Sequence, residues 1–200
     1  MKTNMKTIQQ TITRTIPKLV ISNDEFTDSP REWSNLGYFI TCDRNYYSPD
    51  RHEVLETIVK RTGQEATSQA EHIKLIKIAI NSLGGDKVKA IYPICKYEHS
   101  GVVYKLGSFS GFDYSNNGFY IITDKTAKEL GVKPKDYEKV IKDELEVYNK
   151  YANGEVYQYC LYDDNGEVVE SCGGFYNIDD IKAELPDEWK DENLQEYYKA

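Results

Sequence analysis

Two hundred residues, 40% of them hydrophobic and 29% charged, suffice to bury a core and exclude wholesale disorder. No apolar run approaches the roughly 18–20 residues that span a bilayer, and none follows the charged start, so neither a membrane helix nor a secretory signal is expected. The net charge of −8 and four cysteines without CxxC spacing fit a cytoplasmic chain with reduced thiols.

Residues 1–16, rich in Thr, Gln and Lys, have no period and read as a mobile N-terminal arm or an edge strand. Residues 18–22 form a strand, 23–37 a turn-rich connection with Pro30 and Trp33, and 38–42 a second strand. Ser48-Pro49-Asp50 opens a helix with Val54, Leu55, Ile58 and Val59 at helical spacing, and Gly63 ends it. A second helix starts near Ser68, with Ile73, Ile76, Ile80 and Leu83 on one stripe and Gly84-Gly85 as its stop. Strands follow at 88–95, 102–106 and 118–123, the last two separated by a loop of small polar residues and aromatics.

Thr123 or Asp124 caps a short helix at 125–130, and a longer helix runs over 135–151 with Tyr137, Ile141, Leu145 and Tyr148 on its apolar side. Residues 155–162 and 167–172 form a hairpin about Asp163-Asp164-Asn165-Gly166, read as a type I′ turn. That register pairs Cys160 with Ser171 and Tyr159 with Cys172, which puts the two cysteines on opposite faces and argues against a disulfide. Residues 178–185 and 188–198 look like terminal helices separated by Pro186.

The expected fold class is α+β: a single domain whose mixed or antiparallel sheet of about five to seven strands carries packed helices. Within it, residues 1–16 are the arm, 17–185 the α+β domain and 186–200 an acidic C-terminal helix. Seventeen tyrosines against six phenylalanines suit half-buried sheet faces and protein contact surfaces.

Catalytic signatures are sparse. His52, His72 and His99 occur in no HExxH or HxH pattern, so no metal or cofactor site is expected. Gly107-Ser108-Phe109-Ser110-Gly111 mimics a nucleophile elbow but has strand signals on both sides, where that motif needs a helix after the serine. Cys95 and His99 share a strand face yet stand about 13 Å apart along an extended chain, too far for a dyad. His99, with Ser100, Arg44 or Tyr97, is the weak catalytic candidate that an enzyme reading would use.

Charge is divided unevenly. From Asp136 onward there are 18 acids and 6 lysines, whereas residues 1–135 hold 15 acids against 19 Lys and Arg. An acidic surface of this kind can approach a basic nucleic-acid channel on another protein. The candidate contact residues are Asp163, Asp164, Glu167, Asp179, Asp180, Asp187, Glu188, Asp191 and Glu192. Direct nucleic-acid binding has little support, because the basic excess of the first part comes without a Lys/Arg run or an RNP-like motif.

Ordered strings run along much of the chain: Pro30-Arg31-Glu32-Trp33-Ser34-Asn35-Leu36-Gly37, Arg44-Asn45-Tyr46, Tyr97-Glu98-His99-Ser100-Gly101, residues 118–122, residues 154–157 and Ser171-Cys172-Gly173-Gly174-Phe175-Tyr176. In these the chain resembles a poorly characterised family of phage and mobile-element proteins of Firmicutes, over roughly residues 18–180. The strings mark Trp33, Asn35, Tyr46, Tyr97, Phe175 and Tyr176 as motif residues. Paired arginines expected before the tyrosine are reduced here to Arg44 and Asn45. The resemblance implies an anti-defence protein, anti-CRISPR-like, acting in the cytoplasm of a bacterial host. Its partner would be a host defence nuclease or its nucleic-acid complex, with a CRISPR–Cas effector such as Cas9 favoured and a restriction enzyme next. Two alternatives stand beside it: a small enzyme acting on nucleic acid or a modified nucleotide with His99 in the site, and a self-associating structural or regulatory phage protein.

Overall fold

The computed structural model describes residues 17–43 and 47–199; the arm at 1–16, Arg44 and Tyr46 lie outside the described residues. The protein is α+β, with seven strands in two antiparallel sheets. The chain divides into two compact units: a central unit, Asp28–Glu155, and a terminal unit made of the segments up to Thr27 and from Val156. Among the described residues no helix is long and apolar enough to cross a membrane.

The central unit is a four-stranded sheet between two helical layers. Its strands are β2 (Tyr38–Thr41), β3 (Val88–Glu98), β4 (Val102–Leu106) and β5 (Tyr114–Thr123), in the order β2-β5-β3-β4. Strand alternation sorts the core: Phe39, Tyr120 and Ile122 face one way, Ile40, Phe119 and Ile121 the other. The first set packs on α3 (Asp124–Leu130) and α4 (Tyr137–Ala152) through Ala127, Tyr137, Ile141 and Leu145. The second packs on α1 (Glu53–Glu65) and α2 (Gln69–Ser82) through Leu55, Val59, Ile76 and Ile80. Both faces are therefore buried, which explains the unbroken apolar run at 119–122.

The helix starts follow from their caps. Ser68 accepts from the Glu71 amide at 3.2 Å, and Thr123 forms a capping box with Thr126. β3 runs on to Glu98 past the expected end at 95, β5 starts at Tyr114 where the sequence predicts loop up to 117, and α1 differs from expectation at both ends. α1 begins at Glu53 with His52 as its cap, because Asp50 is drawn to β2. Gly63 lies inside α1, where a Cβ would come within 2.9 Å of the His72 ring, so it serves helix–helix approach and does not end the helix.

The terminal unit is a three-stranded sheet, β1-β6-β7, from β1 (Lys18–Asn23), β6 (Tyr157–Tyr162) and β7 (Val168–Phe175). Leu19, Ile21, Tyr159 and Leu161 form its buried face, covered by Ile178, Ile181, Leu185, Trp189 and Leu194. The two helices expected here are replaced by 3-10 turns at Ile178–Ala183, Asp187–Trp189 and Leu194–Tyr197. Pro186 disfavours helical geometry at the residue before it, and each remaining stretch is shorter than an isolated helix needs.

The hairpin register is the expected one: Tyr159 pairs with Cys172 and Cys160 with Ser171, and all four cysteines are free. The turn is different. Only Gly166 has positive φ, at 84°, and its amide bonds the Asp163 carbonyl at 3.1 Å, which makes a type I turn closed by a left-handed glycine. A register irregularity between Leu161 and Tyr162 absorbs the extra residue, so the inner ladder keeps its expected pairing.

Candidate functional site

The N-terminal string at 30–37 builds a closed polar knot in the central unit. Ser29 accepts from the Arg31 amide and Pro30 starts the 3-10 turn Pro30–Glu32, which turns the Arg31 side chain inward until it is 4% exposed. Its Nε donates to Asp50 Oδ1 at 3.0 Å, and Nη2 donates to Asp50 Oδ2 and the Gly37 carbonyl, each at 2.7 Å. Nη1 donates to Asn35 Oδ1 at 3.1 Å and Glu144 Oε2 at 2.9 Å. All five guanidinium donors are thereby used, and none is left to hold a ligand anion.

The carboxylates are equally committed. Asp50 accepts from the Phe39 amide, and Glu144 from the Leu36 amide and the Tyr120 hydroxyl. Burial alone would lower the Arg31 pKa, but the hydrogen bonds and charge of Asp50, with Tyr120 and Glu144, hold it above its ordinary value. Burial and then Glu144 raise Tyr120 in turn. Arg31 is a strut that joins the connection at 30–37 to β2, β5 and α4.

Beside this knot lies a cavity of about 740 Å³ whose lining includes Trp33, Tyr47, Arg51, His52, Tyr148 and Tyr151. Trp33 is 55% exposed, and Arg51 lies over the Tyr47 ring at 4.9 Å. The groups with catalytic potential are occupied by structure. His52 Nδ1 accepts from the Leu55 amide, while Ser48 Oγ accepts from the Thr41 amide and donates to the Phe39 carbonyl. Burial, with Tyr151 adding to it, pushes Tyr148 up to about 12.

The string at 97–101 does not assemble a catalytic group. His99 and Ser100 occupy an exposed turn closed by the His99 amide on the Gly101 carbonyl. His99 is 69% exposed and its Nδ1 is 3.6 Å from Asp113 Oδ2, too long for a strong hydrogen bond. Cys95 is fully buried, so it makes no pair with His99. Tyr97 instead joins a ring cluster: it lies 5.0 Å from Tyr114, Phe109 stacks on Tyr114 at 5.8 Å, and Lys105 Nζ is within 6.0 Å of all three rings. The sequence traces of this cluster are the motif residue Tyr97 and the aromatic punctuation of the loop before β5.

The acidic candidates all fall in the terminal unit, with unequal roles. Asp163 Oδ1 accepts from the Asn165 and Glu167 amides, each at 2.9 Å. Those bonds, the Glu167 amide first, lower its pKa, so Asp163 is committed to the turn. Asp187 pairs with Lys190 at 2.7 Å, and Glu192 accepts from the Tyr197 hydroxyl at 3.2 Å. Asp164, Glu167, Asp179, Asp180, Glu188 and Asp191 are exposed.

In the string at 171–176, Gly174 has φ of 82° and gives its amide to Asp24 Oδ2 at 2.9 Å. A Cβ on Gly173 would stand 2.3 Å from the same oxygen. The two glycines thus form a bulge pinned by Asp24, and Phe175 lies against Tyr159 with ring centres 6.1 Å apart. Tyr176 is half-buried just beyond β7.

By unit, the charge asymmetry keeps its direction but is smaller than in the division of the sequence at Asp136. The terminal unit holds fourteen acids against seven basic residues, and the central unit nineteen against eighteen. Residues 151–181 carry seven acids and no Lys, Arg or His. No group of three or more His, Cys, Asp or Glu side chains is placed to hold a metal among the described residues. Comparison of the chain with protein-family models, with curated proteins and with solved structures gave no match.

Proposed function

We propose that this chain is a non-enzymatic, phage-type anti-defence protein that binds a host nucleic-acid-targeting nuclease complex and blocks it. The observation that carries this reading is the stretch 151–181, with seven acids and no basic residue, most of it presented on an exposed hairpin and turn. Such a surface attracts a basic nucleic-acid channel over distances of the order of the Debye length, about 10 Å at 0.1 M salt. The favoured partner is a CRISPR–Cas effector such as Cas9, and a restriction enzyme is the next. The enzyme reading loses ground because His99 and Ser100 stand on an exposed turn with only a long contact to Asp113.

Capture of Cas9 by the chain, with and without guide RNA and at low and high salt, tests the proposal. The expected result is capture that weakens as salt rises and that accompanies loss of DNA cleavage. Reversing Asp164, Glu167, Asp179 and Asp180 to lysine is expected to abolish both effects, whereas His99→Ala leaves them intact. Inhibition that survives the charge reversal but not His99→Ala would overturn the proposal in favour of an enzyme.

A further inference from the structure

Most outer sheet edges in the described residues meet a partner. On β4, Asn149 Oδ1 accepts from the Tyr104 amide at 2.8 Å and its Nδ2 donates to the Tyr104 carbonyl at 3.0 Å. Asn153 treats Val102 in the same way, at 2.9 and 2.7 Å. On β2, Ser48 and Asp50 take the amides of Thr41 and Phe39. On β1, Ile21 bridges to Tyr198 and its carbonyl accepts from the Lys199 amide at 2.8 Å. β7 differs: it pairs with β6 on one side, and no strand pairs with its other edge among the described residues.

That edge has the character of a docking strand. Val168–Gly174 is exposed throughout, with Val168 and Val169 more than half exposed. It carries neither lysine nor proline, two usual guards of a strand edge. Its one charged residue, Glu170, is held by the Tyr159 hydroxyl at 2.6 Å, so that carboxylate is tied within the sheet. The pin of Gly174 on Asp24 fixes one end, and the turn bonds of Asp163 fix the other.

We infer that the outer edge of β7 accepts a short extended segment of a basic partner as an added strand. This rests on the proposed binding of a basic protein and names how it is held. An exposed edge supplies backbone donors and acceptors whatever the partner's sequence, while alternate side chains set the choice. Here the choice is set by charge: Asp164 and Glu167 flank the edge, and the nearest basic residues in sequence are Lys150 and Lys182. Pairing with a second copy would instead bring two acidic hairpins together, which like-charge repulsion opposes. Register irregularities on both sides of the regular ladder Tyr159–Leu161 with Glu170–Cys172 keep the site short, so four to six partner residues suffice at about 3.4 Å each.

The test uses the full chain and two synthetic octapeptides of alternating Lys with Val or Thr. One is unmodified; the other is N-methylated at every second residue, which keeps its charge but removes one set of backbone donors. The unmodified peptide is expected to bind at least about tenfold more tightly, a difference of about 1.4 kcal/mol, and to slow amide exchange along 168–174. Equal, salt-sensitive binding of both peptides would overturn strand addition while leaving the acidic-surface proposal standing. Binding of neither would also overturn it, and capture of Cas9 would then judge the proposed function separately. Amides of β7 already protected in the free chain, with mass rising with concentration by light scattering, would show a second copy on the edge and overturn it too.

Discussion

In the central unit, side chains meet the outer strands at a matching pitch; in the terminal unit, β7 runs from Val168 to Phe175 with one side unpaired among the described residues. The match on β4 is geometric. Residues four apart on a helix rise about 6 Å, and residues two apart on a strand advance about 6.7 Å, so Asn149 and Asn153 fall opposite Tyr104 and Val102. A primary amide sets an N–H donor beside a carbonyl acceptor in one plane, as a peptide edge does, and so completes the ladder without presenting a further edge; the second N–H of Asn153 goes to the Asn149 carbonyl. The charges divide in the same way. The central unit turns Arg31, Asp50 and Glu144 inward on one another, while the terminal unit sends most of its acids to the surface. One unit closes its sheet edges and its Arg31 cluster on itself, and the other leaves a strand edge and most of its acids exposed.

The largest expected effect comes from breaking the inward-turned charges. Arg31→Met would leave Asp50 and Glu144 buried without their cation, and loss of one member of such a group costs about 3–5 kcal/mol. Urea unfolding should show that loss, with amide exchange rising first in β2, β5 and α4. Retention of full stability by Arg31→Met would mean that the knot contributes nothing net. A smaller effect should follow Asn149→Ala combined with Asn153→Ala, which removes four hydrogen bonds from the β4 edge. At a net value near 1 kcal/mol each, reduced by solvent at the exposed Asn153 end, the double variant should lose about 2–3 kcal/mol. It should also associate at high concentration, because the freed edge of β4 offers unpaired backbone groups to a second copy without the acidic hairpin that flanks β7. A monomeric double variant would show that the two edges differ by more than their caps.

Local signals made much of this architecture legible. Ser68 with the stripe Ile73, Ile76 and Ile80 specified α2, and the Asn165-Gly166 turn specified the hairpin register to the residue although the turn type differs. The partners that define the sites could not be read in the same way, because nothing in a local window selects a residue far along the chain. Arg31 meets Glu144 across 113 positions, Asn149 meets Tyr104 across 45, and Asp24 meets Gly174 across 150. The terminal helices failed for the opposite reason. Trp189, Leu194 and Tyr197 have a spacing that a helix could bury, but short 3-10 turns bury the same residues without the cost of nucleating an α-helix.

The mildest perturbation addresses the open edge itself. Gly174→Ala places a Cβ where φ is 82°, a conformation costing an L-residue about 1–2 kcal/mol, yet no atom lies within 4 Å of that Cβ. The penalty is therefore one of backbone conformation alone, and it falls on the bulge that Asp24 pins. A thermal melt should show a loss of this size, and exchange should quicken at 172–175 while the central sheet stays unchanged. Asp24→Ala removes the pin and leaves the glycines alone, so the same amides should quicken without the conformational penalty. If Gly174→Ala is neutral and Asp24→Ala is not, the bulge depends on the carboxylate more than on the glycine. If instead both variants loosen the central sheet as strongly as they loosen β7, the contrast between a self-satisfied unit and an open-edged one would fail.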